Sequence, residues 1–191
     1  MNFFAIEHSK TAYRADFALY GLAVLGLSSY LVLQVPIQHG WEILTLSALG
    51  LASWTLIEYL LHRFVLHRLE PFRSWHAAHH QRPTALICAP TILSATLIVS
   101  FVFIPAFLLG SQWSASAVTL GVLIGYLFYA TTHHAIHHWR GKNAWFKQLK
   151  RRHALHHHLE SQACFGVTSL FWDRLLGTTD APSPSLAERF K

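Results

Sequence analysis

Long apolar runs separated by short polar segments set the pattern of this chain: residues 17–35, 41–61, 86–109 and 113–132 are almost uncharged. Roughly 20 residues of helix, at about 1.5 Å per residue, cross a hydrocarbon core, so each run predicts a membrane-spanning helix. Pro36 ends the first run, and the polar turn Gln38-His39-Gly40 makes the first two an antiparallel hairpin. The third run carries Pro90 and Pro105, which predicts kinked or non-helical ends. The fourth must stay helical for a turn or two beyond residue 132 to carry His133 and His137. The expected fold is all-α, four transmembrane helices with a cytosolic histidine-rich helical cap. Residues 17–178 form one membrane domain in this reading. Residues 1–16 are a cytosolic segment, too short for its periodicity to define a helix and read as mobile. Residues 179–191, with Pro182 and Pro184 among serines, form a flexible tail.

Composition agrees with a membrane protein. Hydrophobic residues make up 52% of the chain, charged residues 13%, and the mean hydropathy is +0.30. The first run lacks a small-residue cleavage pattern and is expected to remain as an anchor. All 15 Lys and Arg lie in residues 1–14, 63–82 and 140–191, with none in the turns at 36–40 and 110–114. The positive-inside rule therefore places those three stretches in the cytosol, and Trp41 and Trp113 open their spans at the opposite interface. The membrane would be the inner membrane of a bacterium or the endoplasmic reticulum of a eukaryote. A net charge of +6 distributed between spans points to phospholipid head groups, with Lys147, Lys150, Arg151 and Arg152 as anchors, and not to nucleic acid. Cys88 and Cys164 have no metal-binding spacing and read as packing residues.

Histidine changes the picture. Of 15 histidines, only His8 and His39 lie outside four clusters. The triplets His76, His79, His80 and His153, His156, His157 have i, i+3, i+4 spacing, which places three rings on one helical face. Two spans separate His80 from His133, so every cluster returns to the same side of the membrane. Ten candidate ligands result: His62, His67, His76, His79, His80, His133, His137, His153, His156 and His157. Ten is too many for one metal and suits two, at five each or four with solvent. Imidazole suits zinc, iron, copper and nickel. His62 and His67, five apart, lie about 140° round an ideal α-helix and need a helix end or distortion to converge. Spacing leaves open His134/His138 in place of His133/His137, and His157/His158 in place of His156/His157. Glu58, one turn before His62, is placed either to accept an N–H from a ligand histidine or to pair with Arg63. Asp173 is placed to steady a ligand, cap a helix or form an ion pair.

The carriers of a family resemblance are Glu58-Tyr59, His62-Arg63-Phe64, His67, His76-x-x-His79-His80, Gly125-Tyr126, Tyr129, Thr132-His133 and His137. His153-x-x-His156-His157, Phe165-Gly166-Val167-Thr168-Ser169 and Trp172-Asp173 complete the set. Residues 54–178 resemble the fatty acid hydroxylases of the membrane-bound di-metal hydroxylase and desaturase (sterol desaturase) superfamily, in particular the fatty acid 2-hydroxylases. The resemblance selects His133/His137 and His156/His157. It implies a centre of two metal ions, iron expected and zinc possible, that is itself the catalytic group. That centre would use O2 and two electrons to hydroxylate a lipid acyl chain at C2, with sphingolipid-type chains as substrates. Residues 1–16 cannot hold the cytochrome b5 domain that eukaryotic members often carry, so a separate donor, cytochrome b5- or ferredoxin-like, is expected. Other readings are a hydroxylase or desaturase of sterols or carotenoids, and a metal-binding membrane protein without catalysis. The block from Phe165 to Asp173 looks like the fatty acid branch, and a transporter would need polar ligands inside the spans.

Overall fold

The structure, a computed structural model, describes residues 6–158 and 163–179. The expectations for residues 1–5 and for the tail beyond residue 179 lie outside the described residues. Helix α1 (Lys10–Gln34) starts where the Ser9 hydroxyl accepts the N–H of Ala12, seven residues before its apolar run. The short polar start is therefore helical from Lys10 onward. A single 3₁₀ turn (Ile37–His39) leads into α2 (Gly40–Leu60), and the rod continues through a π-helical turn (Leu61–Leu66). Helix α3 (Phe72–Gln81) follows.

Residues 86–90 are not helical. Glu7 forms an antiparallel bridge with Ile87, and Pro90 sets the start of α4 (Thr91–Leu109). Pro105 has no N–H to offer the preceding turn, and it sits two residues after the end of a π-helical turn (Val99–Phe103), so the run changes its hydrogen-bond pattern and stays helical. Helix α5 (Gln112–His138) starts at a reciprocal Ser111/Ser114 cap and runs on to His138. Helices α6 (Ala144–His158) and α7 (Phe171–Leu175) complete the described elements.

Four helices are long and apolar enough to cross a membrane: Lys10–Gln34, Ile37–Leu66, Thr91–Leu109 and Gln112–His138. The chain is a multi-pass membrane protein. Its outer surface carries Val32, Leu33, Ile37, Phe101, Leu108 and Leu109, each at least 75% exposed, a surface that hydrocarbon tolerates and water does not.

Helix α5 is the centre of the bundle, with α2 as its main partner. The two backbones approach closely at a pair of glycines. A Cβ on Gly121 would lie 2.0 Å from the Ser47 carbonyl oxygen, and one on Gly50 would lie 2.2 Å from that of Val118. In lipid, where apolar burial gives no drive to helix pairing, such contact supplies the dispersion and weak hydrogen bonding that holds the pair. It fixes the register of α2 against α5, and so the relative height of His62 and His133. α4 contributes no buried side chain and packs on the periphery.

Candidate metal centre

A π-helix closes i→i+5 hydrogen bonds, so residues five apart share a face. The π turn at Leu61–Leu66 brings His62 and His67 together, their rings stacked with centroids 5.1 Å apart. This is the distortion that their spacing requires.

Around that pair the first group assembles from three elements: His62, His67, His76, His80 and His156, one nitrogen from each, all within 4.8 Å of one another. Nε2 of His76 lies 3.0 Å from Nε2 of both His62 and His80, and Nε2 of His67 lies 3.0 Å from that of His156. The second group is His79, His133, His137 and His153, with nitrogens again within 4.8 Å. His157 joins it, its Nε2 3.0 Å from Nε2 of His153. Each H-x-x-H-H triplet is thus divided between the groups. His76 and His80 serve the first and His79 the second, while His156 serves the first and His153 and His157 the second.

The donor set fits metal ions. His79 is buried with neither ring nitrogen hydrogen-bonded, and an orphaned polar atom of that kind costs about 1–3 kcal/mol unless something satisfies it. Two nitrogens on opposite sides of one ion at about 2.1 Å each lie about 4.2 Å apart, comparable to the span of each group. Burial, reinforced by neighbouring imidazoles, pushes His79 and His67 down to about 3 and His80 to about 2. Burial also lowers His156, to about 4, against the opposing hydrogen bond to Ala163. His76, His153 and His157 are lowered for the same reason. At neutral pH these rings are uncharged and hold a lone pair for a metal.

Two ligand candidates are oriented from behind by backbone carbonyls. Nδ1 of His62 is 2.5 Å from the Phe165 carbonyl oxygen and Nδ1 of His156 is 2.8 Å from that of Ala163, which leaves Nε2 of each for its group. Between those residues Cys164 adopts a left-handed φ of 59°, and the carbonyls on either side of it meet histidines of different helices. Asp173, fully buried, accepts the N–H groups of Phe165 and Gly166 and the Thr178 hydroxyl. Glu58 accepts the N–H groups of Val167 and Thr168 and the Thr168 hydroxyl.

Among the described residues neither carboxylate hydrogen-bonds a histidine, and Glu58 does not pair with Arg63, whose Nη1 donates to the Tyr59 hydroxyl. Among the described residues Asp173 neither caps a helix nor forms an ion pair. Both act one step further out than expected, by holding the loop whose carbonyls hold the histidines. Those carbonyls had no signal in the sequence, because backbone atoms carry no residue identity.

The other histidines of the clusters face elsewhere. His134 and His138 stack on each other, centroids 4.3 Å apart, with the Tyr13 hydroxyl 3.2 Å from Nδ1 of His134. His158 is exposed. Outside the clusters, His39 contacts Glu42, and His8 lies beside Cys88.

A cavity of about 140 Å³ adjoins both groups. His76, His79 and His133 form part of its wall, with Tyr126 and Tyr129 of α5 and Asp16 of α1 facing it. Asp16 is a cavity residue outside the ten histidines and two carboxylates expected above, although a carboxylate at the edge of an apolar run is a signal the sequence does contain.

With this geometry in place, comparison with known proteins decides the family. The profile of the fatty acid hydroxylase family matches residues 47–178, a segment that contains all ten histidines and the loop behind them. The chain belongs to the fatty acid hydroxylase family. It is 34% identical over 142 residues to the dihydroceramide fatty acyl 2-hydroxylase FAH2 of Arabidopsis thaliana, covering 69% of this chain and 59% of that protein. It is 33% identical over 148 residues to the ceramide very long chain fatty acid hydroxylase scs7 of Schizosaccharomyces pombe, covering 71% of this chain and 42% of that protein. This fatty acid hydroxylase chain therefore spans roughly half the length of these two curated relatives. Among solved structures, full-length scs7p, of which the hydroxylase domain is visible, superposes with a TM-score of 0.78 at 28% identity. That match covers 91% of this chain and 68% of the other.

Proposed function

We propose that this fatty acid hydroxylase family member is an O2-dependent monooxygenase of lipid acyl chains, acting at C2 of a sphingolipid-type acyl group. The observation that carries the reading is the meeting of ten histidines from α2, α3, α5 and α6 as two adjoining sets of ring nitrogens beside one cavity. The first set, His62, His67, His76, His80 and His156, would hold one metal ion. The second, His79, His133, His137, His153 and His157, would hold the other. Iron is the metal we expect, because the chemistry needs a redox-active ion and imidazole accommodates it.

When bound, such a pair supplies O2 activation: one oxygen atom enters an acyl C–H bond as hydroxyl and the other leaves as water, consuming two electrons and two protons. The protein's own part is ligation, orientation and exclusion of water. The hydrogen bonds from Nδ1 of His62 and His156 to Phe165 and Ala163 fix the tautomer, so that Nε2 is the free nitrogen of each ring. Tyr126, Tyr129, Phe17 and Ile87 line the cavity with apolar ring and alkyl surface against which an acyl chain packs. Electrons come from a cytochrome b5- or ferredoxin-like donor. The charge pattern supports a histidine face on the cytosolic side.

Lipidomics of cells expressing the chain with a reductase system tests the reading. Wild type should yield acyl chains hydroxylated at C2, and His79→Ala should yield none at equal protein level. A wild-type strain without any hydroxylated acyl product rejects the activity, whatever the metal content.

A further inference from the structure

Asp16 is the feature of the cavity that ligation and apolar packing leave unexplained. It lies at the edge of the first apolar span, is 8% exposed, and lines the same cavity as His79 and His133. An ionisable side chain in such a place carries a desolvation cost, which the protein keeps only where a partner repays it. Among the described residues its carboxyl receives one hydrogen bond, from the Thr91 hydroxyl to Oδ1 at 2.6 Å. That bond ties α1 to the start of α4 and accounts for one oxygen. Oδ2 has no such partner. The nearby phenols do not supply one: the Tyr20 hydroxyl is engaged with Ser94 and that of Tyr13 with His134.

We infer that Asp16 is a substrate-positioning residue, whose Oδ2 accepts a hydrogen bond from the N–H of an amide-linked acyl lipid and so sets the acyl carbon beside the carbonyl against His79 and His133. The inference rests on the hydroxylase reading above and adds a residue and a selection rule to it. A carboxyl oxygen is an acceptor. It matches the N–H of an N-acyl amide, finds no donor in an O-acyl ester, and repels the carboxylate of a free fatty acid. The amide nitrogen and C2 flank the same carbonyl carbon, so holding one places the other. A chain held only by apolar contact would slide along the cavity and spread its product over several carbons.

The test uses the purified, metal-loaded full chain with a ferredoxin and its reductase, offered an N-acyl amide and an O-acyl ester of the same chain length. Wild type should prefer the amide by roughly tenfold or more in kcat/KM, the scale of one hydrogen bond to a carboxylate. Asp16→Ala should bring the ratio near one, chiefly through KM for the amide, and spread hydroxylation from C2 to neighbouring carbons. Its metal content should be unchanged. Asp16→Asn, whose amide oxygen still accepts, should recover part of the preference, and it carries the test alone if the alanine variant does not fold. An unchanged ratio and unchanged C2 selectivity in the variant overturn the proposal. So does an equal fall for both lipids, which marks a purely structural tie to Thr91. Absence of product from wild type on either lipid takes down the hydroxylase reading and this one with it. Product from wild type with no effect of Asp16 takes down this one alone.

Discussion

The imidazoles of His80 and His157 stack face to face, centroids 4.1 Å apart and planes 8° from parallel. The two rings come from different helices and belong to different groups of ring nitrogens, so this contact is the seam between the two candidate metal sites.

If the groups are separate sites, they should empty separately. Metal analysis of the purified protein should find about two ions per chain, falling to about one in His79→Ala and about one in His76→Ala. Activity should fall at least about 100-fold in either variant, because each removes an ion from a joint centre. A drop to zero metals in both would show one cooperative site in place of two.

Loop support should matter nearly as much as ligation. Asp173→Ala leaves the Phe165 and Gly166 N–H groups and the Thr178 hydroxyl without their acceptor, and should destabilise the protein by about 3 kcal/mol. Metal affinity should weaken about 10- to 100-fold as the carbonyls behind His62 and His156 lose their positions. Arg174→Ala, next along the chain but exposed, should change stability by less than about 0.5 kcal/mol. Thermal melting and competitive chelation measure the two effects.

The π turn and the five-residue spacing of His62 and His67 compensate each other. Deleting Val65 should convert the turn at Leu61–Leu66 to regular α-helix and leave an i, i+4 pair on the same face. Metal content should stay at about two ions per chain. Loss of one ion in this variant would show that the π turn sets more than the register of the pair.

Acid should unfold the metal-free protein earlier than an ordinary helical bundle. The unfolded chain's histidines take up protons near 6.5, whereas His156 and His79 in the folded state resist protonation until about 4 and about 3. Stability is therefore full above pH 6.5 and falls as the pH drops through the window down to about 3. Each of these two buried histidines contributes about 1 kcal/mol per pH unit in that window. Melting temperatures of the metal-free chain at pH 8, 6 and 5 should decrease in that order, and bound metal should delay the decline.

Much of the architecture was legible from pattern. Apolar run length gave the four spans, because a bilayer of fixed thickness demands helices of a particular length. Helix starts were less legible. The Ser9 cap and the Pro90 start depend on local hydrogen bonding and backbone angles that hydropathy does not measure. The i, i+4 pair His133/His137 joined the second group of ring nitrogens and His134/His138 did not, and spacing alone could not tell them apart because both obey the same period.

The sequence by itself determined which side chains are available and that span counting returns them to one face. It also determined that His62 and His67 need a distorted helix. Those conclusions follow from chain connectivity and helical period, which are properties of the chain taken one segment at a time. Only the tertiary structure decided how the ten rings divide, sending His79 away from His76 and His80 and His156 away from His153 and His157. Only the tertiary structure moved Glu58 and Asp173 from the histidines to the loop at Phe165–Thr168, and placed Asp16 in the lining of one cavity with His79. The physical reason is that neighbouring positions on a helix diverge by about 100° each, so two residues of one motif can face different partners. Which partner each meets is set by the closeness of α2 to α5 at Gly50 and Gly121 and by the path of a loop more than 100 residues away.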